Sequence, residues 1–83
     1  MGVPPDPRYP WQALGARIRA ERLARGMTRA QLAAHVGVHA AIVGRWERGA
    51  TRPRWSTLVQ LAEVLAIPHA ELDALTGYAV DDT

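Results

Sequence analysis

The chain has 83 residues, 48% apolar and 22% charged, which sets a single small globular domain with room for one core and excludes a disordered polymer. It contains no cysteine, so disulfides and thiolate-bound zinc are excluded, and no apolar run approaches the roughly 18–20 residues of a membrane span. Its charge is segregated: all ten basic residues are arginine, nine of them lie within residues 17–54 against only Glu21 and Glu47, a local net of +7, and five acids with no base follow Arg54.

An arginine block of this kind is the electrostatic footprint of a protein that grips a polyanion. The opening ten residues, "MGVPPDPRYP", hold four prolines and show no periodicity. They read as a flexible extended arm over 1–10, not as a charged region followed by an apolar one. No signal peptide is therefore expected, and the cytoplasm is the expected location, with nucleoid association whenever nucleic acid is bound.

A first helix is expected over residues 11–25, with Leu14, Ile18 and Arg22 recurring on one face and Gly26 ending it. "TRAQ" then carries a capping-box spacing, Thr28 to Gln31, and opens a second helix. Leu32, Ala33 and Val36 turn inward along it, and Gly37 ends it at a tight turn. A third helix is expected from about His39 to just before Gly49, burying Val43 and Trp46. Pro53 breaks the chain. The fourth helix, over 56–66, has the plainest apolar stripe: Leu58, Leu61, Ala62 and Leu65. A short fifth helix over 69–75 precedes Gly77, and residues 78–83 form an acidic tail. No segment alternates with period two. The fold class is all-α: five short helices in one domain over 11–77.

The central pair, about residues 28–48, has the marks of a helix-turn-helix. Ala33 is small where the third helix must approach the second, Gly37 occupies the turn, and Val36, Val38 and Val43 fill the angle between the helices. With these marks in place, the stretch "LGARIRAERLARGMTRAQLAAHVGVHAAIVGRWERGATRPRWSTLVQLAEVLAIPHAEL", residues 14–72, resembles the phage-repressor/Cro-type (XRE) helix-turn-helix family. The resemblance is carried by "RGMT", "QLAAHVGV", "RWERG", "RP" and "LVQLAEVLAIPHAEL" in that order. It implies a five-helix repressor-like domain that binds DNA by sequence, usually as a homodimer on a two-fold site. It also implies a buried ion pair between Arg22 and Glu47, tying the first helix to the end of the third.

Helical geometry places Ala40, Ala41, Gly44, Arg45 and Arg48 opposite Val43 and Trp46, on the face that would meet DNA. Arg45 is the side chain suited to reading a base edge, guanine above all, through two parallel hydrogen bonds. Ala40 and Ala41 can offer only methyls, which pack on the methyl of thymine. Glycine at 44 weakens a helix by about 1 kcal/mol relative to alanine, so it implies a close backbone approach, to DNA or to a neighbouring helix. Phosphate contacts are expected from Arg29 in the first turn of the second helix, from His39 and Arg48, and from Arg52 and Arg54 around Pro53. Arg17, Arg19 and Arg25 are expected to be solvated or peripheral. In the family, position 39 more often holds a serine or threonine cap, and position 42 a small hydroxyl residue in place of Ile42.

His35 and His39 are four apart, but Gly37 breaks the helix between them and no third ligand is near, so no metal is expected. There is no nucleophile–base pair and no phosphate loop, so neither catalysis nor a cofactor is expected. The expected function is a transcriptional regulator, a repressor, on double-stranded DNA. It would act as a homodimer that forms fully only on DNA, with Leu72, Leu75, Tyr78 and Val80 as candidate contacts. The alternative is a helix-turn-helix interaction module, an antitoxin or co-regulator, whose main partner is another protein; neither reading involves a membrane.

Overall fold

The computed structural model describes the backbone of residues 11–76 and the side chains of residues 11–72. The expected arm at 1–10, the end at Gly77, the tail at 78–83 and the contacts assigned to Leu75, Tyr78 and Val80 lie outside those residues. Five α-helices follow in chain order: α1 (Gln12–Ala24), α2 (Arg29–Val36), α3 (Ala40–Glu47), α4 (Trp55–Leu65) and α5 (His69–Thr76). Among the described residues there is no strand.

The helices start and stop where local chemistry says they should. Thr28 is extended at φ −81° and ψ 164°, and its Oγ1 accepts from Gln31 N at 3.0 Å. Gln31 Oε1 in turn accepts from Thr28 N at 2.8 Å, so both donors are satisfied reciprocally. Thr28→Ala breaks this box without touching the core and is expected to cost about 1 kcal/mol in a urea melt. Gly37 closes α2 at φ 74° and ψ 34°, and a Cβ built there would meet nothing within 4 Å. The left-handed backbone, and not crowding, is what requires glycine at this turn. The end of α4 is less expected: Ala66, a non-glycine, takes the same role at φ 55°.

One core joins the five helices. Leu14 and Ile18 of α1, Leu32, Ala33 and Val36 of α2, and Val43 and Trp46 of α3 are buried together. Leu58, Leu61, Ala62 and Leu65 of α4 complete it with Ile67 and Leu72. Leu72 is fully buried, so its side chain is committed to this core and offers nothing to a second copy. Ile42, where the family more often has a small hydroxyl residue, is half-buried and packs against the same cluster.

Two features fix α1 on the others. Gly15 is buried, and a Cβ there would lie 2.1 Å from the Trp46 carbonyl oxygen and 2.9 Å from that of Glu47. The backbone of α1 therefore rests directly on the end of α3. Arg17, expected to be solvated, pairs with Glu21 at 2.9 Å and with Glu71 of α5.

Candidate nucleic-acid interface

Helix α3 is held from beneath. The Arg22 and Glu47 side chains are buried and form a two-pronged pair, Nε to Oε2 at 2.6 Å and Nη2 to Oε1 at 3.1 Å. Arg22 Nη1 also donates to the Met27 carbonyl at 2.8 Å, fixing the turn before α2. Arg29 adds a third bond to the same carboxylate, Nε to Oε1 at 3.1 Å. Burial alone pushes the Glu47 carboxyl up, but the two guanidiniums more than reverse this and hold it below the usual carboxylate range. Glu47 thus stays ionised as the hub of a triad linking α1, α2 and α3. The Arg22–Glu47 tie is the one the resemblance implies; the third arm from Arg29 is visible only in the structure.

Above this hub the surface opens into a groove between the C-terminal half of α1, the start of α2 and the outer face of α3. Its arginines include Arg19, Arg29, Arg45 and Arg48, and none of its lining side chains is acidic. Arg45 and Arg48 are exposed, as is Ala41 between them and the start of α3. Arg19, expected to be solvated or peripheral, is exposed and also lines this groove. Its place one turn before Arg22 on α1 was the only signal available for it.

The remaining candidates are distributed differently. Ala40 is half-buried and packs against the core, leaving Ala41 as the more accessible methyl. Gly44 is buried: its missing Cβ would lie 3.3 Å from Arg48 Nη1 and 3.8 Å from Arg29 Cδ. Its nearest neighbours are therefore arginine side chains from two helices. His39 is exposed and stands at the N-cap of α3 without a side-chain capping bond. Arg52 and Arg54 are exposed, and the Arg52 guanidinium stacks 4.7 Å above the ring centre of Trp11. That contact docks the 49–54 loop on the start of α1. Arg25 is exposed and bonds Glu21 at 2.6 Å. Among the described residues no helix is long and apolar enough to cross a membrane.

Comparison with known proteins agrees with this geometry. A family model described as "Helix-turn-helix domain" matches residues 13–75. The HTH-type transcriptional repressor RghR of Bacillus subtilis (strain 168) is 40% identical over 68 residues, 81% of this chain. This chain spans 50% of the length of that relative. The restriction-modification controller protein C.AhdI from Aeromonas hydrophila superposes with a TM-score of 0.71 at 31% identity, over 82% of this chain and 99% of its own. Both relatives are named as regulators, neither as an enzyme. The chain belongs to the helix-turn-helix domain family, of the phage-repressor/Cro (XRE) type.

Proposed function

We propose that this domain is a transcriptional regulator, a repressor, that binds double-stranded DNA with α3 in the major groove. The observation that carries the reading is the groove beside α3, which gathers five arginines and no carboxylate on its lining. A duplex presents closely spaced phosphates, and each one neutralised releases counterions. Arg45, exposed in the last turn of α3, is the base reader, suited to guanine O6 and N7. Ala41, with half-buried Ala40 beside it, presents a small apolar surface that accommodates a thymine methyl. Arg29, Arg48, Arg52, Arg54 and His39 hold phosphates and set position without reading sequence.

Two copies are the natural binding unit. The domain measures 32 × 28 × 20 Å. Neighbours placed side by side therefore bring equivalent helices close to the roughly 34 Å of one duplex turn. A dimer completed on DNA fits this spacing, and repression would follow from occupying a site that another protein needs. Such a protein would work in the cytoplasm, at the nucleoid.

The test is selection of bound sequences from a random duplex pool, followed by anisotropy titrations at two salt concentrations. Arg45→Ala is expected to flatten the preference between selected and random duplexes by about tenfold or more. Arg29→Ala is expected to weaken both alike and to reduce the salt slope by about 0.9. Absence of salt-sensitive binding at micromolar protein sinks the reading. A second reading has one specific observation in its favour: Leu23 is 50% exposed on the groove wall beside half-buried Met27. A protein partner, as for an antitoxin or co-regulator, would use that apolar strip, and its binding would be nearly indifferent to salt.

A further inference from the structure

The interior of α3 carries a glycine whose position is covered by charged side chains. A Cβ at Gly44 would lie 3.3 Å from Arg48 Nη1, 3.8 Å from Arg29 Cδ and 3.9 Å from Arg29 Nε. Two arginines, one from the first turn of α2 and one from the C-terminal cap of α3, thus converge over the same bare turn. Like charges so placed repel unless something negative lies between or beneath them. Beneath them is Glu47, which binds Arg29 Nε at 3.1 Å but is already shared with Arg22. One carboxylate set against three guanidiniums leaves the cluster positive.

We propose that Arg29 and Arg48 form a two-armed clamp for a single backbone phosphate, seated on Gly44 and aimed by the buried carboxylate of Glu47. The proposal rests on the DNA-binding reading and adds to it a specific phosphate site with a positioning residue. A guanidinium presents a planar fork that matches two phosphate oxygens, so fixing its plane in advance removes ordering that would otherwise occur on binding. The bond from Nε to Glu47 fixes that plane for Arg29 while leaving its side chain 48% exposed. Arg29 stands in the first turn of α2, where the positive end of the helix dipole favours an anion. Glycine at 44 is then not a base reader. It is the space in which the two side chains rest.

The clamp separates stability from affinity, and Gly44→Ala tests it. A methyl at 44 has only the far end of Arg48 to displace, and alanine favours the helix. The variant is therefore expected to melt about 5 °C higher than wild type. The displaced guanidinium is expected to lower affinity about tenfold for selected and random duplexes alike, the size of one charge-assisted hydrogen bond. In an Arg48→Ala background the same substitution should cost no further affinity. Arg29→Lys keeps the charge but loses the planar fork, and it should weaken binding several-fold while leaving the salt slope intact. A Gly44→Ala protein that binds as tightly as wild type, or loses as much affinity without Arg48 as with it, overturns the clamp alone. A wild-type protein that binds no duplex overturns the clamp together with the DNA-binding reading.

Discussion

Replacing Glu47 with glutamine is expected to destabilise the domain by about 3–5 kcal/mol. A chain of 83 residues holds in total on the order of 5–10 kcal/mol, so this one substitution removes much of what keeps it folded. The size follows from what is left behind. Glu47 accepts from Arg22 Nε, Arg22 Nη2 and Arg29 Nε, and Arg22 is only 6% exposed. Glutamine keeps the shape but not the charge, so a buried guanidinium is left uncompensated. Arg22→Met combined with Glu47→Leu should recover most of the loss, because neither charge then remains to be desolvated. Urea melts of the two single variants and the double variant measure the coupling directly.

The same pair sets the response to acid. Because the folded carboxyl is held below its unfolded value, its contribution is fully present above about pH 4.5. It is lost as the pH falls through the lower, folded value. Wild-type stability should therefore decline below about pH 4.5, and Glu47→Gln should decline much less over the same range. Glu21 titrates in the same direction, held down by Arg25 first and then Arg17, but solvent screens its bonds and Glu47 dominates. A Glu47→Gln protein within about 1 kcal/mol of wild type, with an unchanged acid limb, would falsify the role given to the triad.

The helices were legible because their apolar residues recur at helical spacing and their caps are local chemistry. Thr28 and Gln31 are three residues apart and need nothing else to find each other. Arg22 and Glu47 were legible as a pair only through inward-facing positions combined with the family resemblance. Arg29 shows where such reading stops. An arginine in the first turn of a helix looks like a solvent-facing charge, and its bond to a glutamate 18 residues away depends on how α2 and α3 cross. Gly44 shows a related limit: the sequence demanded a close approach but did not name the partner, which proves to be side chains of the same basic surface. The end of α4 was found to within one residue, but its left-handed cap at Ala66 was not legible, since such an alanine leaves no mark in composition.

Gly15→Ala is expected to destabilise the domain by about 3 kcal/mol, the reverse of what its helix would predict alone. In an isolated helix alanine is better than glycine by about 1 kcal/mol, and position 15 lies inside α1 with helix on both sides. The tertiary contact decides the sign. The added methyl would stand 2.1 Å from the Trp46 carbonyl oxygen, well inside contact distance, and the obstacle is backbone, which cannot rotate aside. Helix α1 would have to lift away from the end of α3. Arg22 lies on the same buried face of α1 two turns later, so lifting the helix also stretches its bonds to Glu47. The two sites are therefore coupled: Gly15→Ala and Glu47→Gln together should cost less than the sum of their separate losses. Gly44→Ala supplies the contrast in the same protein, since there the methyl meets a flexible guanidinium and stability should rise. If urea melts show Gly15→Ala to be stabilising, α1 does not rest on α3 as described. Opposite signs mean that this family member keeps Gly15 and Gly44 for different reasons, one to let two helices touch and one to let two arginines lie down.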